Sequence, residues 1–159
     1  MANLSTDSST AQQDVFAVAM RMEEIGKDFY EALALGCDDP RVRTFCLQAA
    51  RDELRHLDAF RQMQAQWRQS GGAAALAAET AVWLAALAKK QVQPDPQAVR
   101  QTAIGGSLPD ALALAIQMER DAVRFYEGLV ARLPASANAL RRIAEEERRH
   151  LAGLRLLAR

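Results

Sequence analysis

At 159 residues, half of them hydrophobic, the chain is long enough to form one domain with a substantial core. Twenty basic and twenty acidic residues cancel, so no basic surface argues for nucleic acid or an anionic membrane as partner. The two cysteines, Cys37 and Cys46, stand nine apart with no C-x-x-C, which excludes a four-thiolate zinc site or an iron-sulfur centre built within one chain. A reducing cytoplasm is the expected compartment.

Met1 to Gln13 is polar and reads as a frayed leader, flexible over residues 1–9, with no secretory signal. Ser9 or Thr10 can cap a first helix that runs to about Leu35, where Gly36-Cys37-Asp38-Asp39-Pro40 stops it. Cys37 is expected to be exposed on that turn. Asp39 and Pro40 then read as N-cap and first position of a second helix, which continues to about Gln69 before Ser70-Gly71-Gly72.

Residues 71–108 form a long connection, and loops of this length without structure are uncommon, so at least one crossover helix is expected. Ala73 to about Gln91 holds good helix formers around Trp83-Leu84, Pro94-Asp95-Pro96 breaks the pattern, and Gly105-Gly106-Ser107 ends the segment. Its apolar run, Ala73 to Ala88, is interrupted by Glu79 and Thr80 and is too short to span a bilayer. The segment packs either on the bundle or against a second copy in a homodimer.

Ser107 can cap a third helix, with Pro109 and Asp110 in its first turn, running to about Leu133. Pro134 closes it, and Ser136 caps a fourth helix that reaches the end. No segment shows strand alternation, so the fold class is all-α: an antiparallel four-helix bundle of two hairpins with a partly helical crossover.

The two hairpins repeat each other. Asp52-Glu53-Leu54-Arg55-His56 recurs as Glu146-Glu147-Arg148-Arg149-His150, and these hold both histidines of the chain. Upstream, Met22-Glu23 with Phe29-Tyr30-Glu31 matches Met118-Glu119 with Phe125-Tyr126-Glu127, and these hold both tyrosines. In each copy a Glu and a His three apart project from one helical face, a geometry for chelating a metal.

Read at alternating steps of four and three, the second helix gives Val42, Cys46, Ala49, Glu53, His56, Phe60, Met63 and Trp67, an apolar seam interrupted by Glu53 and His56. Leu140, Ile143, Glu147, His150, Leu154 and Leu157 repeat the interruption. The other two helices put one glutamate each in the seam, Glu23 and Glu119, followed one turn on by a small residue, Gly26 or Ala122. Positions 23 and 53 average to 38, and 119 and 147 average to 133, so both pairs are level across their own turns.

Four buried carboxylates and two imidazoles without partners would cost several kcal/mol per charge or neutralise themselves. Two divalent cations match the four negative charges. A bundle with one Glu from each of two helices and Glu-x-x-His from each of the others is a di-iron or di-manganese architecture, and the oxygen and imidazole donors suit iron or manganese, with zinc able to occupy the same set.

Asp52-Glu53-Leu54-Arg55-His56 resembles the D-E-x-R-H motif of di-iron carboxylate proteins; the second copy keeps Arg149 and His150 but has Glu146 for the Asp. The chain is similar to the ferritin-like superfamily, and its paired Met-Glu and Phe-Tyr hairpins are most similar to the rubrerythrin branch. The resemblance implies metal ligands at Glu23, Glu53, His56, Glu119, Glu147 and His150, with Glu53 and Glu147 bridging two iron ions. It also implies an oxidoreductase that reduces peroxide or dioxygen, or, alternatively, a non-catalytic metal-binding or iron-buffering bundle. Three features depart from the family. The two cysteines cannot build the rubredoxin-like relay of full rubrerythrins, so an external electron donor is expected; Ala122 stands where rubrerythrins have an additional carboxylate; and the long crossover and short tail after His150 differ from cage ferritins.

Tyr30 and Tyr126 are candidates for a redox role or for supporting the ligands, against the simpler reading of core tyrosines that donate a hydrogen bond. Asp52 and Glu146 either orient a ligating histidine through its free ring nitrogen or pair with Arg55 and Arg149. Cys46 reads as a small core residue, and Glu24, Glu31, Glu127 and Glu145 as solvated.

Overall fold

The computed structural model describes residues 15–70, 82, 83, 86 and 95–159. Among them five α-helices follow one another: α1 (Val15–Gly36), α2 (Pro40–Gln69), α3 (Pro96–Gly105), α4 (Leu108–Arg132) and α5 (Ala137–Leu157), with a 3-10 turn, Pro134–Ser136, before α5. No strand occurs among the described residues, and the helices form a ferritin-like bundle. The leader, the proposed Ser9 or Thr10 cap and most of the Ala73–Gln91 segment lie outside the described residues. No described helix is long and apolar enough to cross a membrane.

The helix starts follow their sequence signals. Asp39 is extended and its carboxylate accepts a 2.8 Å hydrogen bond from the Arg41 amide, with Pro40 leading α2. Ser107 accepts from the Asp110 amide at 3.2 Å at the head of α4. The same Asp-Pro pair that opens α2 also opens α3: Asp95 accepts from Gln97 at 3.1 Å and Pro96 is the first helical residue. The run read as a break is thus a break followed by a start.

Two local expectations are corrected. Ser136 does not cap α5 through its hydroxyl, because Pro134 begins a 3-10 turn that leaves Ser136 at φ −103°, ψ 0° instead of the extended conformation a cap needs. Cys37 is buried, not exposed: the turn folds under the core, and the Arg43 guanidinium reaches back to the Cys37 carbonyl at 2.9 Å.

α1 packs along α2, α4 along α5, and the hairpins meet where α2 faces α5 and α1 faces α4; α3 lies against α1 through Val99 and Ala103. The apolar interior is in two pieces. One, with Phe29, Val42, Cys46, Leu112 and Leu154, lies toward the turn of the first hairpin; the other, with Phe16, Phe60, Met63, Leu129 and Leu140, lies toward the turn of the second. The polar layer falls between them.

Candidate metal centre

Every helix of the two hairpins contributes to that layer, because a seam that is apolar above and below carries its charged residues to the same depth. The six ionisable groups of the layer, Glu23, Glu53, His56, Glu119, Glu147 and His150, are all buried, and they are the buried charged residues found among the described part of the chain. Small residues make the space. A Cβ placed on Gly26 would stand 3.4 Å from the Glu53 carboxyl carbon, so the absent side chain lets that carboxylate lie against α1.

The inner ring nitrogen of each histidine faces three carboxylates. His56 Nδ1 lies 3.0 Å from Glu147 Oε1, 3.3 Å from Glu23 Oε2 and 3.7 Å from Glu53 Oε2. His150 Nδ1 lies 3.0 Å from Glu147 Oε2, 3.5 Å from Glu119 Oε1 and 3.6 Å from Glu53 Oε1. Donor atoms of Glu23, Glu53, His56 and Glu147 all lie within 4.8 Å of one another, and so do those of Glu53, Glu119, Glu147 and His150. Glu53 and Glu147 belong to both groups.

The outer nitrogens are held across the hairpin boundary. His56 Nε2 is 3.0 Å from Glu146 of α5, and His150 Nε2 is 3.1 Å from Asp52 of α2. Arg55 joins the two carboxylates, bonding Asp52 on its own helix and reaching Glu146 at 3.3 Å. Both readings of Asp52 and Glu146 therefore hold at once: they orient an imidazole and pair with an arginine. Sequence spacing along one helix did not show that the imidazole each orients belongs to the other hairpin.

The tyrosines cross over in the same way. Tyr30 donates to Glu119 Oε1 and Tyr126 donates to Glu23 Oε1, each phenol fixing the lone glutamate of the opposite copy. Burial, reinforced by the surrounding carboxylates, raises both phenols well above the ordinary tyrosine range, so both keep their protons.

The electrostatics of the layer without metal are strained. Burial together with the Glu147 and Glu23 charges pushes Glu53 well above the carboxylate range, and burial with Glu147 pushes Glu119 up to about 8. Burial works the same way on Glu147, but the hydrogen bond with His150 and the neighbouring His56 imidazole overcome it and hold that carboxylate down to about 2. Both imidazoles are raised in spite of burial, His56 chiefly by Glu147 and His150 chiefly by Glu119 and Glu147. Protons thus perform part of the compensation that cations could perform.

Three buried atoms are left without any hydrogen-bond partner: Glu23 Oε2, His56 Nδ1 and Glu147 Oε1. All three belong to one of the four-residue groups. Buried polar atoms left in this state are costly in a chain that binds nothing; as deprotonated ligands of a hard or borderline cation they are satisfied. The residues fit a two-metal carboxylate centre.

The rubrerythrin family model matches residues 14–158, nearly the whole chain. The chain belongs to the rubrerythrin family. It is thereby a member of the ferritin-like superfamily, and the family match spans both hairpins and the crossover between them. No curated protein and no solved structure matches the chain. Rubrerythrins typically bind metal ions, and this rubrerythrin chain carries a buried carboxylate and histidine cluster able to hold them.

Proposed function

We propose that the protein is a non-haem di-iron oxidoreductase that reduces peroxide or dioxygen with electrons from an external donor. The observation that carries the reading is the trio of unpartnered buried atoms, Glu23 Oε2, His56 Nδ1 and Glu147 Oε1, in a group that shares two carboxylates with a second such group. Glu23 and His56 would hold one ion, Glu119 and His150 the other, and Glu53 and Glu147 would serve both. Manganese or zinc fits the same donors, but only a redox-active metal supports the chemistry.

Bound there, a pair of iron ions would supply Lewis acidity and redox equivalents. The chain does the rest. Apolar clusters on both sides exclude water from the layer, which strengthens every charge interaction within it. Asp52 and Glu146 hold the two imidazoles in one orientation with their inner nitrogens free. Tyr30 and Tyr126 hold Glu119 and Glu23 in place and keep an exchangeable proton one hydrogen bond from the ligands. A reducing compartment such as the cytoplasm suits two free thiols and a reductant-fed reaction.

Anaerobic loading with ferrous iron, followed by peroxide or dioxygen and then a reductant, tests the reading. Uptake of two ions, rapid oxidation and repeated turnover are expected. Two ions retained without reaction would identify a metal-binding or iron-buffering bundle instead.

A further inference from the structure

Each tyrosine of the polar layer has a phenylalanine beside it in sequence and in space, and the two phenylalanines lead to different places. Phe29 meets Tyr30 edge-on at 5.4 Å between centroids, and it is buried with the aliphatic Val99 and Ala103 of α3. Phe125 meets Tyr126 at 5.7 Å and, on another side, the indole of Trp83, stacked at 5.9 Å with the planes only 3° apart. The indole has a made seat: any Cβ on Gly128 would overlap it, and Arg132 lies over its face at 4.1 Å while donating to the Gly128 carbonyl. Trp83 is half-buried, and Val82 beside it is 70% exposed.

We propose that Trp83, Phe125 and Tyr126 form an electron relay from a one-electron donor at the surface to the centre held by Glu23. The proposal rests on the oxidoreductase reading above. Indole and phenol are the side chains oxidised by loss of one electron; Phe125 is a bridge and is not itself oxidised. In one pass, an electron leaves the Tyr126 phenol for the oxidised centre while the phenolic proton moves along the hydrogen bond to Glu23. Trp83 then gives one electron to Tyr126 across Phe125, the proton returns, and the indole radical cation is refilled by a one-electron reductant, either a small molecule or a redox protein. Two passes deliver the two electrons that, with two protons, convert one peroxide to two waters. Arg132 over the indole opposes positive charge on the ring, so the oxidised indole is returned quickly to its resting state.

The test uses the full chain loaded with zinc, which keeps the layer charge-compensated and redox-silent. Azide radicals from pulse radiolysis oxidise tryptophan, and intramolecular transfer appears as indolyl absorbance decaying into tyrosyl absorbance at a rate independent of protein concentration. Wild type and Trp67→Phe should both show it. Trp83→Phe and Tyr126→Phe should lose it, and Phe125→Leu should slow it. Transfer unchanged in Trp83→Phe, or lost in Trp67→Phe instead, overturns the relay. In iron-loaded protein given peroxide, Trp83→Phe should accumulate a tyrosyl radical by electron paramagnetic resonance that Trp83→Phe/Tyr126→Phe lacks. Intact transfer with zinc beside an iron-loaded protein inert to peroxide would sink the oxidoreductase reading and leave the relay standing.

Discussion

The two hairpins carry the same donors at the same depth, yet they do not carry the same charge. Glu53 and Glu147 are equivalent in the repeat and both belong to both four-residue groups. Glu147 lies 3.0 Å from each inner imidazole nitrogen, whereas Glu53 lies 3.7 and 3.6 Å away. Burial pushes both upward, but for Glu147 the two imidazoles win and for Glu53 they do not. A repeated motif fixes which groups meet; differences in distance of under an ångström decide which of them holds the negative charge when no metal is bound.

The sharpest way to break that contrast is to neutralise each glutamate in turn. Glu147→Gln removes the one charge that both inner imidazole nitrogens share, so the metal-free protein should lose about 3–5 kcal/mol, the cost of taking one partner out of a buried pair. Glu53→Gln replaces a carboxyl that is already protonated and should change metal-free stability little. Both variants should lose the second ion, since each residue serves both groups. Urea unfolding after chelation, with metal counted on the untreated protein, reads all of this; equal losses from the two variants would mean the charge asymmetry is wrong.

Removing a histidine asks which group binds better. The unpartnered atoms all belong to the Glu23, Glu53, His56, Glu147 group, where an ion displaces no hydrogen bond of Glu147 Oε1 or His56 Nδ1, whereas the other group must first give up the 3.0 Å bond between His150 and Glu147. His150→Ala should therefore retain one ion more tightly than His56→Ala does. At free metal a hundredfold above the dissociation constant, one retained ion stabilises by about 2.7 kcal/mol. Calorimetric titration of the two variants compares them directly, and a tighter ion in His56→Ala would reverse the assignment.

Acidity should separate the metal-free and loaded forms. The folded Glu119 carboxyl sits at about 8 and Glu53 is also raised, so both contribute stability that is complete below the unfolded carboxylate range and is lost as pH climbs, for Glu119 through about 8. Glu147, held at about 2, acts oppositely: its contribution is present above the unfolded range and fades as pH falls toward 2. Chelated protein should accordingly melt at a higher temperature near pH 5 than near pH 9. Metal binding needs deprotonated ligands, so the gain from added metal should grow over the same interval. A melting temperature of the chelated chain that rises with pH would contradict these charges.

Much of this was legible in the sequence because helical spacing carries it. Glu23, Glu53, His56, Glu119, Glu147 and His150 interrupt apolar seams, and the turns at Gly36–Pro40 and Pro134 set them level, so their convergence needs only the helix period. What escaped depended on contacts between hairpins. Nothing along α2 says that Asp52 holds His150, or that Tyr30 holds the glutamate of the other copy. The start of α3 was in plain view, since Asp95-Pro96 is the same signal as Asp39-Pro40, but the preceding Pro94 made the run read as a break. Burial of Cys37 depends on how the turn folds under the core, which no local pattern encodes.

The smallest expected effect sharpens the comparison at its subtlest point, the residue one turn beyond each lone glutamate. It is Gly26 in α1 and Ala122 in α4. A helix-interior alanine is favoured over glycine by about 1 kcal/mol, so Gly26→Ala would stabilise α1 by that amount in open space. The new methyl would meet the Glu53 carboxyl carbon at 3.4 Å and its Oε1 at 3.6 Å, tight enough to move a carboxylate by a few tenths of an ångström. Gly26→Ala should thus leave metal-free stability within about 1 kcal/mol of wild type while weakening the ions that Glu53 would bind. Ala122→Gly should cost about 1 kcal/mol, without weakening metal binding to the same degree. Paired melting and metal-titration curves would show the two substitutions acting on different quantities; a Gly26→Ala protein that binds metal as wild type does would mean the space beside Glu53 is incidental to its position.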